Sequence, residues 1–131
     1  KSIFMAIKFN VIERGEPGVT GGGTKKFYAS TKSSGEMTLN KLTNSIEKVS
    51  TVSGADIRAV LYAMVDVMKT SLADGQIVRL GELGSLRITI ASNGEEKAEK
   101  VTAKSIKGAK TVFTPGTDLK DLLKNLKYEK A

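Results

Sequence analysis

Apolar and polar residues alternate along "AIKFNVIER", with Ile7, Phe9 and Val11 set against Lys8 and Asn10, and this predicts a half-buried strand. The same period returns in "KKFYASTK", where Phe27, Ala29 and Thr31 alternate with Tyr28, Ser30 and Lys32. The two strands make a hairpin, and "PGVTGGGTKK" between them is its glycine-rich loop. After "SSGE" the period changes to that of a helix. Thr38 is placed to cap a helix through Val49 with Leu39, Leu42, Ile46 and Val49 on one face. Ser53, with Asp56 three residues on, opens a second helix to about Leu72. Its stripe of Ile57, Val60, Leu61, Met64, Val65, Met68 and Leu72 is wider than one neighbouring helix can cover. A second subunit or an underlying sheet would cover the rest.

Asp74-Gly75 ends that helix, Gln76 to Leu80 alternates as a strand, Gly81 to Gly84 turns, and Ser85 to Ala91 alternates again. "SNGEEKAEKVTAKSIKGAK" is too polar for a core, and its ends read as strands, weakly over Lys100 to Ser105 and better over Lys107 to Phe113. Leu119, Leu122, Leu123 and Leu126 stripe a last helix that Thr117 or Asp118 would cap. The order is strand, strand, helix, helix, strand, strand, strand, helix. It divides into an N-terminal β-hairpin extension, residues 1–34, and an α+β domain, residues 35–131.

Gly18 and Gly23 have the glycine spacing of a phosphate-binding Walker loop, but Thr24 and Lys25 follow in the wrong order. A strand pattern comes next, so no helix dipole would stand behind a phosphate. The loop is there for turning.

The 131 residues contain neither cysteine nor histidine. Disulfides, thiolate chemistry, the commonest general base and the commonest metal ligand are absent together, and no constellation of carboxylates and lysines replaces them. The chain therefore reads as a non-enzyme without catalytic residues, cofactor or metal. A reducing cytosol fits the lack of cysteine. The formal net charge of +7 favours a polyanionic partner. Lys and Arg minus Asp and Glu is 6 minus 3 over residues 1–36, 6 minus 5 over 37–91 and 9 minus 6 over 92–131, so the two ends are basic. No apolar run is long enough to span a membrane. Met5 reads as a natural start, with Lys1 to Phe4 as an addition ahead of it.

Two stretches, "IVRLGELGSLRI" and "VFTPGTDLKDLL", carry a resemblance to the bacterial histone-like DNA-binding proteins, the HU and integration host factor family. The first is similar to that family's strand-glycine-apolar-glycine pattern and the second to its F-x-x-G-x-x-L-K segment. The match covers Gly35 to Lys130, and the leading hairpin resembles the HU-related branch with an N-terminal strand extension. What the resemblance implies is an intertwined homodimer: a helical hairpin, a three-stranded antiparallel sheet with a protruding β-arm, and a C-terminal helix. It also implies an architectural, nucleoid-associated role in the cytoplasm, in which paired arms embrace duplex DNA, hold phosphates and bend it. Leu83, Leu86 and Phe113 fall where the family builds its dimer core, a placement equally served by an ordinary core.

At the implied DNA surface the tip "SNGEEKAEK" has neither the arginine nor the proline wedge of the family's arm. Arg87 is the one arginine at the arm's base, with Thr89 and Ala91 at the later positions. Glu95, Glu96 and Glu99 would repel phosphates. The implied contacts are Arg87, Lys97, Lys100, Lys104, Lys107, Lys110 and Lys120, any of which is equally read as solubilising charge. The leading expectation is sequence-independent duplex binding through lysine-phosphate pairs. The alternative is a structural or protein-interaction module on the same fold, with a protein partner at the leading hairpin.

Overall fold

The computed structural model describes residues 5–131, so the reading of Lys1 to Phe4 as an addition lies outside the described residues. The elements in chain order are β1 (Ile7–Arg14), β2 (Lys26–Lys32), α1 (Leu39–Val49), α2 (Gly54–Ala73), β3 (Val78–Arg79), β4 (Gly84–Ser92), β5 (Ile106–Pro115), α3 (Thr117–Lys124) and β6 (Tyr128–Lys130). The described residues fall into two compact units, one of residues 5–41 with 124–131 and one of residues 42–123.

The first unit holds a three-stranded sheet in the order β2-β1-β6. β1 and β2 form the expected antiparallel hairpin, with Lys8 opposite Lys32, Val11 opposite Ala29 and Arg14 opposite Lys26. The glycine-rich loop closes it through one 3-10 turn, Thr20–Gly22, whose Gly22 carbonyl accepts the Glu16 amide at 2.5 Å. Gly21 and Gly22 take φ of 77° and 84°, a region L side chains rarely enter. β6 lies parallel to β1, pairing Ile7 with Tyr128 and Phe9 with Lys130. This strand corrects the expected last helix, because α3 ends at Lys124, Leu126 lies beyond it and "YEK" turns extended. A three-residue strand has too short a pattern to announce itself, and the partner strand decides it.

The starts of α1 and α2 are both held by side chains. The Thr38 hydroxyl accepts the Lys41 amide at 3.3 Å, and the Ser53 hydroxyl accepts the Asp56 amide at 3.2 Å. The Glu47 carboxylate on α1 also reaches the α2 N-terminus, accepting the Gly54 amide at 2.6 Å, where the helix dipole favours negative charge. α3 differs from expectation: Thr117 is already helical, and Lys120 donates its amide to the Gly116 carbonyl at 2.9 Å.

β3, β4 and β5 form an antiparallel sheet in that order. The strand expected over Gln76 to Leu80 is reduced to Val78 and Arg79, which pair with Leu86 and Ser85 before the chain leaves through a 3-10 turn at Gly81–Leu83. The expected weak strand over Lys100 to Ser105 is absent. Two 3-10 turns, Ala98–Lys100 and Ala103–Ser105, stand there instead. β4 and β5 therefore run on together as a two-stranded ribbon past Val78, the first residue of β3.

Among the described residues Ile57 is the one buried hydrophobic side chain, at 6% exposure, beside a fully buried Thr43. Much of the wide stripe on α2 stays open, with Val60 at 64% exposure and Met64 and Val65 also exposed, and Val67, outside the expected stripe, is open at 66%. The sheet of the same chain does not cover them.

Candidate nucleic-acid interface

The ribbon's register sorts its side chains. Leu86, Ile88 and Ile90 face Phe113, Thr111 and Ala109, while Arg87, Thr89 and Ala91 face Val112, Lys110 and Gly108. Opposed residues share a face. Arg87 and Lys110 are therefore diagonal neighbours on one surface of the arm. Between Ala91 and Ser92 the register slips, so that Lys107 has no residue opposite it and forms a β-bulge. A bulge re-aims the side chain it carries and increases the local twist. The middle of the ribbon has little side-chain bulk, and Thr89, Ile90, Ala91, Gly108, Ala109 and Lys110 surround an open depression of about 410 Å³.

The tip is folded around Ser105, which is 4% exposed. Its hydroxyl accepts the Thr102 amide and donates to Glu95 Oε1, both at 3.2 Å, and its carbonyl accepts the Asn93 amide at 2.8 Å. The Thr102 hydroxyl accepts the Lys104 amide at 3.3 Å, completing a reciprocal cap. Lys97, Lys100 and Lys104 ride on these two turns, all exposed. One of the three acids expected to repel phosphate, Glu95, thus accepts a hydrogen bond from Ser105 while remaining exposed. Sequence reasoning missed this knot. Its signal was the Thr-x-x-Ser spacing of Thr102 and Ser105, a short capping pattern.

Lys120 stands exposed on α3, apart in the chain from the arm. The seven expected contacts thus comprise a pair on the ribbon face, one bulge residue, three on the tip and one on a helix. Leu86 lies directly across from Phe113, which is 45% exposed, and Leu83, at 49%, lies on the turn before β4. Gly84 of the first sequence motif and Gly116 of the second meet here. The Gly116 amide donates to the Leu83 carbonyl at 2.9 Å, and the Leu80 amide to the Gly84 carbonyl at 2.7 Å. A Cβ at Gly84 would run into the Thr114 carbonyl, and one at Gly116 into the Glu82 carbonyl.

Among the described residues no three carboxylates gather as a metal site, and no helix is long and apolar enough to cross a membrane.

Residues 5–130 match the family described as an HU domain fused to a wHTH, Ig, or glycine-rich motif. The chain belongs to this HU-HIG family. None of the curated proteins matches the HU-HIG chain in sequence. Among solved structures, its fold is similar to that of a candidate bacterial DNA-binding protein from Bacteroides vulgatus ATCC 8482, with a TM-score of 0.61 and 16% identity. The alignment covers 95% of the HU-HIG chain and 48% of the other, so the chain spans about half the length of that relative. At this identity the likeness is one of fold.

Proposed function

We propose that this HU-HIG protein is a non-catalytic, architectural DNA-binding protein that works as a homodimer and holds duplex DNA through lysine-phosphate contacts on its arm, bending it without strong sequence preference. The observation that carries this reading is the free-standing β4–β5 ribbon. Arg87 and Lys110 share a face, Lys107 sits on a bulge, and the tip displays Lys97, Lys100 and Lys104 while Glu95 is hydrogen-bonded to Ser105. Family membership and the DNA-binding description of the Bacteroides relative support it. Contacts of this kind read the backbone and carry no sequence information. Each phosphate neutralised would release counterions and steepen the salt dependence by about 0.9 in the slope of log K on log salt.

The test is fluorescence anisotropy of a labelled random-sequence duplex titrated over a salt series, with Lys104, Lys107 and Lys110 replaced together by Ala. Binding that weakens steeply with salt, and at least about tenfold further in the variant, supports the arm. A folded protein that binds no duplex at low salt sinks the reading.

One observation favours the alternative of a protein-interaction module. Residues 42–123, which include the arm, contain eleven Lys and Arg against ten Asp and Glu, a net charge of only +1. Retention of a protein partner by a chain indifferent to DNA would decide for it.

A further inference from the structure

The charge missing from the arm-bearing unit lies in the other one. Described residues 5–41 and 124–131 hold nine Lys and Arg against four Asp and Glu, a net +5. Their three-stranded sheet separates that charge by face. Ile7, Phe9 and Val11 share a face with Phe27, Ala29 and Thr31, and with Tyr128 beside Ile7. The opposite face carries Lys8, Asn10, Ile12 and Arg14 from β1 and Lys26, Tyr28, Ser30 and Lys32 from β2.

On that second face like charges oppose each other twice, Lys8 against Lys32 and Arg14 against Lys26. Directly opposed residues stand about 5 Å apart at Cβ, and like charges there destabilise a hairpin. Two acids relieve half of the repulsion: Glu129 pairs with Lys8 at 2.8 Å and Glu16 with Lys26 at 3.1 Å. Arg14 and Lys32 form no ion pair among the described residues. Both are exposed, as is Lys26. A fold that tolerates this repulsion on an open face is complementary to an anion outside it.

We infer that this cationic sheet face is a second nucleic-acid surface, one that takes the phosphate backbone of a duplex and acts separately from the arm. Lys8 to Arg14 along β1 spans roughly 20 Å at the strand rise, comparable to the rise of about six base pairs. Between the cationic ends lie Asn10 and Ser30, uncharged groups of the kind that donate hydrogen bonds to phosphate and sugar. A single strand would need exposed aromatic rings for its bases. The one ring on this face, Tyr28, is half-buried and has the Arg14 guanidinium 5.0 Å above its centroid, so it offers no stacking platform. A polyanion with fixed phosphate spacing is the occupant that fits.

The experiment compares four proteins by anisotropy over a salt series: wild type, the sheet variant Lys8→Gln, Arg14→Gln, Lys26→Gln, Lys32→Gln, the arm variant of the preceding proposal, and Arg14→Gln with Lys32→Gln, which breaks no ion pair. The probes are a labelled random duplex, a single strand of one of its sequences, and poly-glutamate as an acidic protein. The sheet variant is expected to bind the duplex at least about tenfold more weakly, with the salt slope lowered by roughly 2 to 4, and the double variant to show about half that change in slope. Because the double variant removes self-repulsion and breaks no ion pair, losing only the cation–π contact of Arg14 with Tyr28, it should melt within a few degrees of wild type, which keeps the comparison valid even where the fourfold variant folds poorly. Duplex binding unchanged in both sheet variants overturns the inference and leaves the arm proposal standing. Loss in the sheet variants with none in the arm variant has the opposite meaning. Tighter sheet-dependent binding of the single strand, or of poly-glutamate at equal charge, overturns the assignment of a duplex as occupant.

Discussion

At the scale of single residues, Gly84 and Gly116, one from each sequence motif, do the most to define the structure around the arm's base. Gly84 has φ of 140° and Gly116 an ordinary backbone, yet both are closed to a side chain by carbonyl oxygens of the strand or turn packed against them. Alanine at either position must push backbone apart, and at Gly84 it must also hold a conformation that a Cβ disfavours. Each substitution is expected to cost about 2 kcal/mol or more, read from the urea midpoint at constant m-value. Gly108, on the same ribbon, has open space around its Cα and no positive φ. Gly108→Ala should therefore stay within about 0.5 kcal/mol of wild type, or gain slightly through a less flexible unfolded chain. Equal losses at Gly84 and Gly108 would mean that flexibility, and not close approach, explains the motif glycines.

At the scale of elements, the arm's tip behaves as a unit built on one hydroxyl. Ser105→Ala leaves the Thr102 amide and the Glu95 carboxylate without their shared partner, while the backbone bond from Asn93 to residue 105 remains. A lost hydrogen bond of this kind is worth about 1 kcal/mol, so the Thr102 amide should exchange with solvent severalfold faster while the amides of the β4–β5 pairing hold their protection. Unchanged exchange at Thr102 would show that the turns hold themselves. The tip also shows where sequence stops being informative. Alternation in β1, β2 and β4, helical spacing and hydroxyl caps in α1 and α2, and the two glycine motifs are local signals, and all of these elements stand where the pattern puts them. Lys100 to Ser105 alternates as a strand would, but the ribbon ends first and side-chain caps take over. β6 depends on the edge of β1, more than a hundred positions away, and three residues do not reveal such a dependence. Of the expected contact residues, sequence named the cations; it could not foresee that Glu95 hydrogen-bonds Ser105, and although alternation set Lys8 and Lys32 on the polar sides of their strands, the pairing register is what puts Arg14 opposite Lys26 on that same face.

At the scale of the whole molecule, the account of apolar burial does not close within one chain. Ordering each residue costs about 1–2 kcal/mol of backbone entropy, and full burial of a large apolar side chain returns about 1.5–3 kcal/mol. With Ile57 as the one buried hydrophobic side chain among the described residues and α2 exposed along Val60, Met64 and Val67, that return is largely missing. A second copy covering α2 would supply it, and this supports the homodimer in the proposed function. The resulting prediction separates the two states sharply. Val60→Glu with Val67→Glu alters two side chains that are already about two thirds exposed in the single chain, so a monomer should lose no more than about 0.5 kcal/mol at each. If α2 is covered by its partner, the same carboxylates would be buried unpaired, a change large enough to dissociate the dimer and unfold the protomer with it. Sedimentation equilibrium of wild type is accordingly expected to give twice the chain mass, with a melting temperature that falls on dilution, and the double variant to run as unfolded monomer. A wild-type protein that sediments at 14.0 kDa and melts at the same temperature across dilutions would return α2 to solvent and require each arm to hold DNA alone.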